Sequence, residues 1–223
     1  MRRAPTLDFD AVLAGLLVGE PIPGEEAGDP GAAGDDPINA ALLDATSALL
    51  AEHGTRGWTV DDVALRAGVG RATVYRRFPS RDDLMRAAIT RDARRFFAAI
   101  ADSVRSVETL EDKVVHGFVA GLRLARVSPL SSLLRADPAA AMYLLGSESL
   151  LRTAALALTE RYEALTGTRL DRSARAQVEV SAEALVRLGI SFVLIPGQTA
   201  DLDDRRARDH LASIIRPLLG SRS

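Results

Sequence analysis

The sequence predicts an all-α protein. Apolar residues recur at three- and four-residue spacing through most of its 223 residues, as one face of a helix requires. The apolar stretches are separated by glycine and proline signals such as Gly54, Gly68, Pro79, Ser128-Pro129, Asp137-Pro138 and Pro196-Gly197. No stretch shows the strict apolar–polar alternation of a strand. With 47% hydrophobic and 26% charged residues, the composition is that of a globular chain long enough for a sizeable core.

Taken in order, residues 6–18 (TLDFDAVLAGLLV) place Phe9, Val12, Leu13, Leu16 and Leu17 on one helical stripe. Residues 19–37 are rich in Gly, Pro, Asp and Glu and read as a mobile linker. The first 37 residues thus form an extension, read either as a disordered tail or as a helix docking on an apolar groove. Apolar residues 11–18 after Arg2 and Arg3 are too short to span a bilayer and lack a small-residue cleavage site, so no signal peptide or membrane segment is expected. Asp36-Pro37 is a cap followed by proline at the first helical position, opening a helix to about His53 that ends at Gly54. Its apolar positions include Ile38, Leu42, Ala45, Leu49 and Leu50, and Trp58 is expected to pack with them.

The stretch 59–89 then carries two short helices around a glycine turn. Thr59 with Asp62 has capping-box spacing, and Gly68 suits the left-handed residue that ends a helix. A second short helix starts near Arg71, turns Val74 and Phe78 inward, and stops at Pro79. Ser80 with Asp83 repeats the cap for a third helix, expected over about 80–104 with Arg86, Arg91, Arg94 and Arg95 facing out. Such a rod is roughly 37 Å long. Short helix, glycine turn and short helix describe a helix-turn-helix.

The outward face of 71–77 offers Arg71, Thr73, Tyr75, Arg76 and Arg77 to DNA. Arginine can fork onto guanine edges or phosphates, and a threonine methyl can meet thymine. Thr59 and Ser80 bring hydroxyls and helix N-terminal amides suited to phosphate. Charge agrees: residues 53–95 hold ten Arg and five Asp, whereas residues 1–37 hold two Arg and eight acids. The overall charge of −2 conceals this contrast.

Other chemistry finds little support. The absence of cysteine excludes disulfides, thiolate nucleophiles and cysteine zinc sites, and is compatible with a reducing cytoplasm. The three histidines, His53, His116 and His210, have no metal-ligand spacing, so no metal and no cofactor are expected, nor an enzyme. Downstream, helices are expected at about 108–126, 129–135, 138–166, 172–195 and 204–219, for about nine in all besides the extension.

The run LLDATSALLAEHGTRGWTVDDVALRAGVGRATVYRRFPSRDDLM resembles the TetR/AcrR family of bacterial transcriptional regulators over about fifty residues. The resemblance implies a homodimer whose two helix-turn-helix modules read a palindromic operator. It implies that the last two long helices of each subunit form a four-helix seam, and that the middle helices enclose a small-molecule effector. Matching positions give DNA contacts from Thr59, Arg71, Thr73, Tyr75, Arg77 and Arg81; Arg77 stands where the family often has histidine. Two positions depart: Gly70 replaces the usual serine cap, and Asn39 and Ala41 replace basic residues.

The expected organisation is therefore an extension (1–37), a helix-turn-helix domain (38–84) and an effector-binding and dimerisation domain (85–223). For the effector, Phe118, Leu122, Leu133, Met142, Tyr143 and Leu150 are candidate apolar lining. His116, Arg123, Arg135, Ser147 and Arg152 are candidate polar anchors. For the dimer seam, 172–195 offers Val178, Ala182, Leu185, Gly189 and Phe192, and 204–219 offers Leu211, Ile214, Ile215 and Leu218. The alternative is that these faces pack within one subunit. The expected function is a repressor released by a small apolar effector. Competing readings are an activator or effector-independent regulator, an enzyme in the helical domain, and an interaction module without DNA binding.

Overall fold

A computed structural model describes residues 36–137, 169–195 and 205–218, together with 139, 142, 152, 156, 159, 163 and 167. Eight helices and no strand occur among the described residues: α1 (Pro37–His53), α2 (Val60–Ala67), α3 (Arg71–Arg77), α4 (Arg81–Ser103), α5 (Leu110–Ala125), α6 (Pro129–Ala136), α7 (Arg172–Leu194) and α8 (Arg205–Leu218). The extension helix expected over 6–18 lies outside the described residues, as does most of the helix expected over 138–166.

Local chemistry sets the boundaries. Asp36 caps α1 by accepting from the Ile38 N–H at 2.9 Å, with Pro37 in the first turn. Thr59 and Asp62 form a reciprocal capping box on α2, the Asp62 carboxylate accepting from the Thr59 N–H at 2.8 Å. Gly68 closes α2 in the left-handed region at φ 69°, its N–H meeting the Ala64 and Leu65 carbonyls. Gly70 begins α3 with no side-chain cap, and Ser80 accepts from the Asp83 N–H at 3.0 Å at the start of α4.

The described residues divide into two compact units, the first comprising 36–95 together with 128–137, the second 96–127 with the described residues from 139 on. The core of the first joins Leu42, Leu49 and Leu50 of α1, Val63 of α2, Val74 and Phe78 of the helix-turn-helix, Leu84 and Met85 of α4, and Trp58. Leu133 of α6 enters this core at 1% exposure, α6 lying against α1. Just past α6, the Asp137 carboxylate accepts from the Thr55 hydroxyl at 2.5 Å.

Arg91 corrects one expectation. It does not face out but is 11% exposed, with Asp44 at 2.7 Å, Asp92 at 3.4 Å and the Ala40 carbonyl at 3.3 Å. A buried guanidinium needs such partners, and α1 supplies them. Burial pushes the Asp92 carboxyl above its ordinary value, opposed by the Ser47 hydroxyl and Arg91.

In the second unit, Val115, Val119 and Leu122 of α5 pack on Leu185 of α7 and on Leu211 and Ile215 of α8. Gly121 permits close approach by Ile100: a Cβ there would lie 3.2 Å from the Ile100 Cδ1. Lys113, buried, donates to the Val104 carbonyl at 3.1 Å and to that of Val107, tying down the turn between α4 and α5.

Candidate nucleic-acid interface

The face opposite Val74 and Phe78 is the exposed side of α3. Arg71, Tyr75 and Arg76 are exposed there, and Thr73 is half-buried. The helix owes this orientation to its apolar underside, since Val74 and Phe78 are each 1% exposed in the core.

Arginines that look alike in sequence have different surroundings. Arg71 donates to Asp61 at 2.9 Å and approaches the Tyr75 hydroxyl at 3.5 Å, its guanidinium 5.4 Å from the Tyr75 ring centre. The Tyr75 hydroxyl first and the Asp61 charge second hold this guanidinium above its ordinary value. Arg76 is exposed at the helix end. Arg77 is only 21% exposed and donates to the Asp36 carboxylate and, at 2.8 Å, to the Asn39 side chain. The Arg77 hydrogen bond, ahead of the Ile38 N–H, holds the Asp36 carboxyl below its ordinary value. Arg81 stacks on Trp58 at 4.0 Å and donates to the Thr55 carbonyl at 2.6 Å and the Trp58 carbonyl at 3.2 Å.

Arg77 and Arg81 are thus committed to the protein's own framework. Sequence reasoning placed them beside DNA because residue type and spacing carry no sign of partners 41 and 26 positions away. Thr59 and Ser80 are exposed at their helix starts, each hydroxyl already engaged with the carboxylate three residues on, at 2.7 Å and 2.6 Å. Residue type and spacing did not show that Asp36 and Asn39 would be partners of Arg77, or Asp61 of Arg71. Only the cap motif at Asp36 gave any signal, and it pointed to a different role.

The described candidate effector residues fall in both units. Leu133 and Arg135 belong to the first unit, Leu133 in its core and Arg135 donating to Ser132 at 3.1 Å. Phe118 and Leu122 sit in the second unit's core, the Phe118 ring edge-on to Phe192 at 6.4 Å. His116 is exposed, its Nδ1 donating to the Asp112 carbonyl at 2.8 Å. Arg123 is half-buried, while Met142 and Arg152 are exposed. Tyr143, Ser147 and Leu150 lie outside the described residues.

The seam candidates also divide. Ala182, Leu185, Leu211 and Ile215 are buried within the subunit, so packing inside the chain already uses them. Phe192 and Leu218 are half-buried against the same core, and a Cβ on half-buried Gly189 would meet Phe118 at 3.7 Å. Val178 is half-buried, and Ile214 remains 46% exposed. Helical periodicity marks an apolar face without saying which partner buries it. Among the described residues no cluster of His, Cys, Asp and Glu has the makings of a metal site, and no helix is long and apolar enough to cross a membrane.

Residues 42–88 match the model for bacterial regulatory proteins of the tetR family. The chain is 51% identical over 47 residues to the HTH-type transcriptional repressor LfrR of Mycolicibacterium smegmatis, covering 21% of this chain and 24% of that protein. That match spans only about a quarter of the relative's length. Over 81% of this chain and 94% of the other, the fold resembles the TetR family repressor AlkX from Dietzia sp. strain DQ12-45-1b, at 26% identity and TM-score 0.52. A TetR-like regulator from Rhodococcus sp. RHA1 shares the fold at TM-score 0.59 and 20% identity, over 82% of this chain and 97% of that one. In its helix-turn-helix segment and its all-helical fold, the chain is similar to transcriptional regulators of the TetR family.

Proposed function

We propose that this protein is a DNA-binding transcriptional regulator, acting in the cytoplasm as a homodimeric repressor released from a palindromic operator by a small apolar effector. One observation carries the DNA-binding part: α3 buries Val74 and turns Arg71, Tyr75 and Arg76 outward beyond a glycine turn. Such a helix fits the major groove, where arginine reads base edges and the remaining cations meet phosphate. The relatives that the chain matches carry the names of transcriptional regulators, which supports a regulator over an enzyme.

Repression is proposed by analogy with LfrR and AlkX, both described as repressors. AlkX is implicated in biodegradation of n-alkanes, which supports an apolar effector here. Two copies would present their α3 helices about one DNA turn apart, roughly 34–36 Å. The apolar surface left for pairing includes Val180, 64% exposed on α7, and Ile214 on α8. Effector bound in the second unit would act on DNA through α4, which runs unbroken from Arg81 to Ser103. A coupling of about 1–3 kcal/mol would weaken operator binding some 5–150-fold.

Selection of bound duplexes from a random pool tests the reading. A two-fold symmetric motif with half-sites one turn apart is expected. Failure to enrich any sequence would overturn it, and a titration with alkanes or acyl compounds then tests release.

A further inference from the structure

Arg71 begins α3, and its guanidinium is shared between Asp61 of α2 and Tyr75 one turn along its own helix. The Arg71 and Asp61 side chains are both 61% exposed, so this carboxylate lies on the open surface that carries the outward arginines. Asp61 is not needed as a cap, because Thr59 and Asp62 already close the box on α2. A negative charge beside a phosphate-facing surface opposes association with DNA of any sequence. It can nevertheless serve discrimination. Arginine carries five N–H donors in a planar fork; one nitrogen held by the Asp61 carboxylate and a second at 3.5 Å from the Tyr75 hydroxyl still leave N–H groups for a base edge.

We infer that Asp61 is a positioning residue that sets selectivity: it holds Arg71 for base reading and keeps that arginine from serving as one more phosphate clamp. The inference rests on α3 being the DNA-reading helix. Random-sequence binding depends on the count of cations free to meet phosphate, whereas specific binding depends on the direction of the fork. Asp61 therefore lowers the first more than the second.

Binding by the unmodified protein, Asp61→Asn, Asp61→Glu, Arg71→Ala and the Asp61→Asn/Arg71→Ala pair tests this. Each is titrated with the duplex selected from a random pool and with its scrambled counterpart, across salt. For Asp61→Asn, scrambled-duplex affinity should rise about threefold to tenfold at low salt, and its salt slope should steepen by about one as Arg71 reaches a phosphate. The selected-to-scrambled ratio should fall, with an unchanged thermal midpoint. Asp61→Glu should restore the ratio, and the change should vanish on the Arg71→Ala background. An unchanged ratio, an equal shift on both duplexes, or the same change without Arg71 would overturn the inference while the DNA-binding reading stands. No binding by the unmodified protein to any duplex would overturn both.

Discussion

Arg71, Arg76, Arg77 and Arg81 stand within eleven residues of one another, yet neighbours decide what each can do. Arg76 has the exposure a phosphate contact needs, whereas Arg77 is held by Asp36 and Asn39. Arg76→Ala should lower DNA affinity across sequences and flatten the logarithmic salt dependence by about one unit, read by anisotropy titration. Arg77→Ala should instead leave that slope unchanged and lower the thermal midpoint, because it removes the cation paired with Asp36 and leaves that carboxylate its cap bond to the Ile38 N–H. A flattened slope for Arg77→Ala with the midpoint intact would place Arg77 on phosphate after all. None of this was legible in sequence, where the four residues differ only in position. The outward placement of Arg71, Tyr75 and Arg76 was legible, since Val74 and Phe78 at i and i+4 fix which side of the helix is buried.

For whole helices, the features that sequence revealed are those governed by neighbours within four residues. The capping box at Thr59, the left-handed Gly68 and the proline at the start of α1 act over that range, and each stands where its pattern put it. Gly68→Ala places a Cβ in the left-handed region, and although nothing lies within 4 Å of it, the strain should cost about 1–2 kcal/mol in denaturant unfolding. What sequence did not reveal are contacts across long separations. The attachment of α6 to α1 has no local signature, since an apolar stripe says that a face is covered and not by what. Leu133→Ala should destabilise the first unit by about 2–5 kcal/mol, as for other fully buried leucines, and weaken DNA binding on heating. Wild-type unfolding of Leu133→Ala would remove α6 from this core. Arg91 was misread for the same reason: it falls on the polar side of α4 by periodicity, but α1 covers that side with Asp44 and Ser47.

Across the whole molecule, titration behaviour follows from the paired carboxylates. The hydrogen bonds from Arg77, Arg66 and Thr59 hold Asp36, Glu52 and Asp62 below their ordinary values of 3.8, 4.5 and 3.8, and Asp112 is lowered by Thr109 and Arg216. A depressed carboxyl contributes stability that is complete above the unfolded value and is lost as pH falls through the folded one. Asp92 runs the other way: its raised value means stability is lost as pH rises through it. Glu163, held down by the Leu170 N–H and by Arg175, makes five depressed against one raised among the described residues, so the thermal midpoint should fall as pH drops below about 4, the usual course of acid denaturation. Calorimetry across that range checks the sign, and a midpoint that climbs on acidification would make Asp92 dominant. The all-helical class and the helix-turn-helix were within reach of sequence. The division into units was not, because it depends on a chain that leaves its first partner and comes back.

That return has a bearing on how the protein is made. A nascent chain that has emerged only as far as the end of α4 possesses every residue of the helix-turn-helix and still lacks the leucine that completes the core beneath it. Domains generally mature in the order of synthesis, from the amino end. Here the amino-terminal unit has its full core only after α6 has been synthesised, some thirty residues beyond the end of α4.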